Sequence, residues 1–214
     1  MNRLSLVLMY SVALMFAACG DDSGTAVVID PAEVTTGVMT DSRDGQTYKT
    51  VAIGTQTWMA QNLNFETENS YCYDDKASYC AKYGRLYKWA AAMEACPAGW
   101  HLPTKAEFKT LFTAVGGSNI ADVKLKSSSG WYSGGNNVSG TDDYSFSALP
   151  AGGRDYYCVW YFHEGNSAYF WSSTEDDSNN AYRMRLDSFD GNAYLERYYN
   201  TYGFSVRCVK DLQL

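Results

Sequence analysis

The chain is 214 residues long and carries 24 acidic and 17 basic side chains, for a formal charge of −7. No run of Lys or Arg supplies the clustered positive charge that a phosphate backbone requires, so nucleic acid is not an expected partner. Its aromatic content, 6 Trp, 18 Tyr and 9 Phe, offers large contact surfaces with polar edges, which suit both β-rich packing and binding faces.

The predicted elements begin with a signal segment at residues 1–18. Arg3 precedes a nearly unbroken apolar run from Leu4 to Ala18. At about 15 residues the run is shorter than the roughly 20 needed to span a bilayer, and it matches the apolar region of a signal peptide. It ends in Phe16-Ala17-Ala18-Cys19. Small residues directly before a Cys suit a lipoprotein signal peptidase, which makes Cys19 the expected lipid attachment site and the membrane an expected partner through that lipid. The alternative is an ordinary secretory signal that ends near Cys19. The acidic pair Asp21-Asp22 resembles signals that route lipoproteins outward, giving the outer membrane and its exposed face as the expected location. Residues 19–40 lack hydrophobic periodicity and read as a flexible tether. Residues 41–214 suffice for one domain with a sizeable core.

Within that domain, residues 47–53 read as a strand ended by Gly54, and residues 56–63, around Trp58, as a second extended segment. Leu86 to Ala95 reads as a helix stopped by Cys96-Pro97-Ala98-Gly99. A clearer helix follows. Thr104-Lys105-Ala106-Glu107 forms a capping box, Phe108, Leu111, Phe112 and Val115 share one helical face, and Gly116-Gly117 supplies the stop. From Ser127 to about Asp155 the chain is rich in Gly, Ser, Asn and Asp but carries Trp131, Tyr132, Tyr144 and Phe146. The C-terminal third is β. Tyr182, Met184 and Leu186 alternate with Arg183, Arg185 and Asp187; Asp190-Gly191 marks a hairpin, and Tyr194 to Tyr199 is the partner strand. In the last strand Phe204, Val206 and Cys208 share one face opposite Ser205 and Arg207, a phase that turns Cys208 inward.

Besides Cys19 there are five Cys, at 72, 80, 96, 158 and 208. Disulfides persist in exported proteins. Cys72 and Cys80 flank a polar loop that a local bridge would close. A Cys96–Cys208 bridge would tie the middle of the chain to its end, stabilising by about 4–5 kcal/mol in the loop-entropy model, and would leave Cys158 over. Other pairings remain open on sequence alone. No Cys-x-x-Cys pair exists and only two His occur, so no metal site is expected.

Several motifs carry a family resemblance: Tyr48-Lys49-Thr50-Val51-Ala52-Ile53-Gly54 continuing through Trp58 to Leu63, then Tyr83-Gly84-Arg85-Leu86-Tyr87, Cys96-Pro97-Ala98-Gly99-Trp100-His101-Leu102-Pro103-Thr104, Phe170-Trp171-Ser172-Ser173-Thr174, and Phe204 to Lys210. In this order and spacing the chain resembles the Fibrobacter succinogenes major paralogous domain family. The resemblance implies an α+β fold similar to C-type lectin-like domains: two helices against small twisted antiparallel sheets, with a long irregular loop region. In that fold a bridge joins the first helix region to the final strand, which matches Cys96 and Cys208.

The functional expectation is a non-catalytic binding module for a glycan or an envelope protein, without cofactor. Its loop region runs from about Ser127 to Gly165, with ligand-binding candidates Trp131, Tyr132, Tyr156, Tyr157, Trp160 and Tyr161. Aromatic faces stack on sugar rings while Asn and Asp bond the hydroxyls; the plainer reading is that these rings pack the loop onto the domain. The Glu-Pro-Asn and Gln-Pro-Asp tripeptides of calcium-dependent lectins are absent. An oxidase similar to formylglycine-generating enzymes would need a reactive Cys, for which Cys158 alone is available and has no evident partner, so catalysis is not expected. A structural envelope role without soluble ligand is the other alternative.

Overall fold

A computed structural model describes residues 27–132, 138–156, 160–189 and 191–212. A 3-10 turn at Pro31–Glu33 precedes β1 (Thr35–Thr40), β2 (Thr47–Ile53), β3 (Gln56–Met59) and β4 (Ser70–Tyr71). After a second 3-10 turn at Tyr73–Asp75 come α1 (Ala77–Tyr83), β5 (Leu86–Lys88), α2 (Trp89–Ala95), β6 (Trp100–His101), α3 (Lys105–Ala114) and α4 (Ser118–Leu125). Residues 126–132 and 138–152 hold no helix or strand beyond isolated bridges, and then come β7 (Gly153–Arg154), β8 (Tyr161–Phe162), β9 (Ser167–Asp177) and β10 (Asn180–Asp187). The last strands are β11 (Tyr194–Tyr199), β12 (Gly203–Ser205) and β13 (Val209–Lys210).

The fold is α+β, with helices against two mainly antiparallel sheets. One sheet has the order β1-β2-β3-β13-β6; the other runs β11-β10-β9-β12-β5-β4, with β7 and β8 attached beside β12. The clearest predicted helix is α3. Glu107 N–H donates to Thr104 Oγ1 at 3.1 Å, Thr104 N–H donates to Glu107 Oε2 at 2.7 Å, and Phe108, Leu111, Phe112 and Val115 are buried. The β10–β11 hairpin pairs Arg183 with Glu196 in antiparallel register; Asp190 of its turn signal lies outside the described residues.

Four predicted features differ. The tether overlaps an ordered strand, since Thr35–Thr40 pairs with residues 47–52 along its whole length. Its side chains are nearly all exposed, so it leaves no hydrophobic alternation to read and is held through its backbone. The single predicted helix at 86–95 divides: Leu86–Lys88 is a strand because Leu86 and Tyr87, both buried, pair with β12, and the helix starts at Trp89. Among the described residues four α-helices stand where two are expected, α1 arising inside the Cys72–Cys80 loop and α4 directly after Gly117. Finally, Arg183, Ser205 and Arg207, placed opposite the apolar faces, are buried as well, because β10 and the C-terminal segment are covered on both sides.

That C-terminal segment is the seam of the molecule. β12 lies inside one sheet, antiparallel to β5 and parallel to β9, whereas β13 lies inside the other, between β3 and β6. Between them Val206 C=O accepts from Leu63 N–H and Cys208 C=O from Met59 N–H, both at 2.9 Å. Phe204, Val206 and Cys208 pack into one apolar cluster with Tyr48, Tyr87 and Trp171. Arg207 points the other way and is wholly buried. Its Nε and Nη2 donate to Asn62 Oδ1 at 3.1 and 2.8 Å, Nη2 also to Ser147 C=O at 3.1 Å, and Nη1 to the carbonyls of Phe146 and Met59. Asn62 in turn donates through Nδ2 to Tyr83 C=O at 2.8 Å. This chain of bonds needs a close backbone approach at Gly84, where a Cβ would fall 2.7 Å from Leu63 C=O and φ is +73°.

Two disulfides complete the frame. Cys96–Cys208 joins the end of α2 to the seam, with Cα atoms 5.9 Å apart, and Cys72–Cys80 ties the segment before α1 to α1 itself at 4.8 Å. Cys158 lies outside the described residues. The irregular segment after α4 is anchored by Lys126, itself fully buried. Its ammonium donates to Asp187 C=O at 2.6 Å and Val138 C=O at 2.8 Å and is paired with the Asp122 carboxylate, 2.6 Å from Oδ2. Burial pushes the Asp122 carboxyl up to about 6, against the pull of Lys126.

Replacing Arg207 by Met keeps the stem volume but strands Asn62 Oδ1 and three carbonyls in the interior. Arg207→Met is expected to lower unfolding free energy by about 3–5 kcal/mol in urea titrations. A loss below about 1 kcal/mol would show that the guanidinium is not the seam's main fastening.

Candidate functional site

The Cys72–Cys80 loop and the β7–β8 hairpin meet in a face of tyrosines. Rings of Tyr73 and Tyr161 lie 5.0 Å apart, Tyr73 and Tyr79 5.2 Å, and Tyr79 and Tyr83 6.0 Å. Tyr161 O–H donates to Asp75 Oδ1 at 2.6 Å, which fastens the hairpin to the loop. Burial, helped by that carboxylate, pushes the Tyr161 phenol up to about 12. The Arg154 guanidinium lies 3.7 Å from the centre of the Tyr71 ring. Tyr83 O–H donates to Glu164 Oε1 at 2.5 Å, and Lys82 stands 3.4 Å from the same oxygen.

Above this base, Tyr156 and Trp160 stand out into solvent, 46% and 68% exposed. They border the hairpin tip, which is held from below: Asp155 N–H donates to Trp160 C=O at 2.7 Å, and Tyr202 O–H to Asp155 Oδ2 at 2.8 Å. Lys88 Nζ lies 5.1 Å from the Tyr156 ring. The structure thus brings Tyr156, Trp160 and Tyr161 onto one hairpin. Tyr157 lies outside the described residues.

Trp131 and Tyr132 belong to another place. Trp131 is half-buried against the main core, its indole N–H directed to Ser127 Oγ at 3.1 Å and Ala148 C=O at 3.2 Å, with Lys126 Nζ 4.8 Å from its ring. Tyr132 is 64% exposed beside a hollow of about 270 Å³ lined by Ser127 to Gly130, Ser139 and Gly140. The segment is also less purely a surface than its composition suggests. Tyr144, Phe146, Ala148 and Ala151 are fully buried, so much of it does build core, irregular because it is fastened by Lys126 and Arg207 rather than by a ladder. Sequence reasoning missed Tyr71, Tyr73, Tyr79 and Arg154. Their available signal was the placement of three tyrosines directly beside the two Cys of the short loop.

The two histidines are engaged elsewhere. His163 Nδ1 lies 2.7 Å from Tyr169 Oη, and burial, then Arg183, lower its pKa. His101 sits between two carboxylates, Nδ1 to Asp211 Oδ1 at 2.6 Å and Nε2 to Glu107 Oε1 at 2.8 Å. Among the described residues no three His, Cys, Asp or Glu side chains converge as metal ligands would.

The sequence profile described as the Fibrobacter succinogenes major domain matches residues 51–210, three-quarters of the chain. The chain belongs to that family. No curated protein and no solved structure gives a significant match. The motifs that carry membership of the Fibrobacter succinogenes major domain family map onto the frame. Trp58 stacks on Phe108 in the core, Trp171 N–H donates to Tyr87 C=O at 2.8 Å, Ser173 N–H to Pro103 C=O at 2.8 Å, and Asn62, Gly84 and Arg207 form the seam. None of the exposed rings at the hairpin tip comes from those motifs.

His101 gives the domain a pH response with a definite sign. Burial pulls its pKa down, but the bonds to Asp211 and Glu107 outweigh that and raise it above the ordinary 6.5. A raised folded-state pKa adds stability that is fully present below 6.5 and fades as pH rises through the folded value. In thermal melts, the advantage of the native protein over His101→Gln is therefore expected to be largest at acidic pH and to shrink toward pH 8. A gap that widened with pH would refute the arrangement.

Proposed function

We propose that this protein is an exported, lipid-anchored binding module of the cell envelope, held at the outer membrane through Cys19 and recognising a glycan or an envelope protein without catalysis. The observation that carries this reading is the pair of exposed rings, Tyr156 and Trp160, on a hairpin whose base is fastened by the Tyr161–Asp75 and Tyr202–Asp155 bonds. A fixed frame lowers the ordering cost of binding, and an exposed indole together with an exposed phenol ring that has Lys88 Nζ 5.1 Å from its centre suits the apolar face of a sugar ring flanked by hydroxyls. The plainer reading, in which the aromatics pack the loop, fits Trp131, Tyr144 and Phe146 but not rings exposed to this degree.

We further read the fold as similar to C-type lectin-like domains. The Cys96–Cys208 bridge from the helical region to the final strands and the long irregular segment between α4 and β7 support this. In such a frame the loops carry recognition while the sheets and bridge hold them still.

Two experiments test the proposal. Cells expressing the full chain should incorporate labelled palmitate into it, and Cys19→Ala should abolish that label; an unlabelled native protein removes the anchor. The purified chain should bind at least one component of a glycan array or a solubilised envelope fraction. Trp160→Ala and Tyr156→Ala should each weaken binding about tenfold while leaving the melting temperature within a few degrees, as expected for losing a stacking or cation–π contact on exposed rings. Retained binding in the double variant removes this face as the site.

A further inference from the structure

Three hollows lie side by side along the rim formed by β1, β2, the segment after β3, and α1. The first, about 490 Å³, is bordered by Thr36, Gly37, Thr50 and Ser145. It shares Lys49, Ala60 and Ser147 with the second, about 240 Å³, whose walls add Gln46, Gln61, Asn62, Asn64 and Lys82. The second shares Asn64, Cys80 and Ala81 with the third, about 480 Å³, which reaches Phe65, Glu66 and Arg85. The outer two have no residue in common. The shared borders make the hollows neighbours in a row, with the amide-lined hollow in the middle. None of Tyr132, Tyr156 and Trp160 lines any of them.

Amides, hydroxyls and two ammonium groups line the first two hollows among Val38, Ala60 and Leu149, without a carboxylate, and Asp44 and Glu66 enter the wall only at the third. Amides and hydroxyls donate and accept, as sugar hydroxyls do. Asn64, at the joint of the second and third hollows, keeps its side-chain oxygen shielded and accepts no hydrogen bond among the described residues. A buried acceptor without a donor is costly unless something supplies one. Lys49 has an exposed side chain and no ion pair among the described residues. Small side chains keep the passage open, Ala60 and Ala81 at the two joints and Gly37 in the first hollow, where a Cβ would come within 3.0 Å of Thr50 Oγ1. The larger apolar residues are Val38 in the first hollow, Tyr48, Tyr83 and Leu149 in the second and Phe65 in the third, which does not form the regular row of pockets that seats alternate side chains of an extended peptide.

We propose that this row of hollows acts as one groove, a binding site for a linear, hydroxyl-rich glycan chain, with Lys49, Gln61 and Asn64 donating to and accepting from successive sugar units. The inference rests on the reading of the domain as a binding module, and places the ligand along the groove instead of at the hairpin tip alone.

The test uses the full chain with hexasaccharides of glucose, xylose, mannose and N-acetylglucosamine, titrated by calorimetry. Lys49→Ala removes the unpaired ammonium and Ala81→Arg blocks the joint of two hollows. Both positions are exposed, so melting temperatures should not move. At least one hexasaccharide should bind the native chain, and each variant should weaken it about tenfold, the scale of a lost hydrogen bond to a charged group. Unchanged affinity in both variants, with loss in Trp160→Ala, overturns the groove and leaves the hairpin as the site. Failure of every hexasaccharide to bind also overturns the groove; whether the domain is a binding module at all is then decided separately by the envelope-fraction experiment.

Discussion

Everything in this domain depends on how one segment, residues 203–210, passes from one sheet into the other while keeping both of its faces buried. An ordinary strand edge could not do this, because a crossover leaves carbonyls of neighbouring loops without ladder partners inside the protein. Arg207 resolves the problem. Its guanidinium offers five N–H donors in a fixed plane, and they meet Asn62 Oδ1 and the carbonyls of Met59, Phe146 and Ser147. Burial draws its pKa down to about 9, with Asp142 pulling the other way, so the group remains charged at neutral pH. The charge is stabilised by carbonyl dipoles and by the rings of Phe146 and Phe170, whose centres lie 4.5 and 5.4 Å away.

This fastening explains why an irregular segment can belong to the core. Residues 138–152 form almost no regular structure, yet Tyr144 and Phe146 are buried between the helices and the sheet. Lys126 holds the front of the segment through Val138 and Arg207 holds its middle through Phe146 and Ser147. Buried charges of this kind contribute less to net stability than to uniqueness, because each one penalises every arrangement that leaves it unpaired. The two clusters of apolar side chains on either side of the seam then pack independently, one around Trp58 and Phe108, the other around Trp171 and Phe204.

The family motifs and the exposed rings of the β7–β8 hairpin occupy different parts of the molecule. Trp58, Asn62, Gly84, Trp171 and Arg207 hold elements to one another and are shut away from solvent. The exposed rings are built from residues between the motifs, on a frame that does not need them, whereas the groove takes Lys49, Gln61 and Asn62 from the first motif itself. Such a division lets recognition residues change with little effect on the fold, since substitutions at exposed positions alter stability by only a few tenths of a kcal/mol. The Cys72–Cys80 bridge stands at the boundary, closing a loop that borders the groove on one side and the tyrosine face on the other.

The sequence by itself determined what local chemistry controls. Thr104 and Glu107 specify where α3 begins, the Phe108–Val115 spacing specifies its buried face, the motif set specifies the family, and the phase of Phe204, Val206 and Cys208 turns Cys208 toward Cys96. Elsewhere the pattern was silent or misleading. β1 is held mainly by backbone pairing, with Met39 packed against an apolar cluster, and backbone pairing has no sequence signature when nearly all side chains are exposed. Arg183 and Arg207 read as outward residues because alternation assumes one wet face. Only the assembled structure covers both faces and supplies Glu196 and three aromatic rings for the first, Asn62 and the loop carbonyls for the second. The tyrosine face and the groove are likewise tertiary facts: they join residues 36 to 85, and 71 to 161, that chain order keeps far apart and that no periodicity connects.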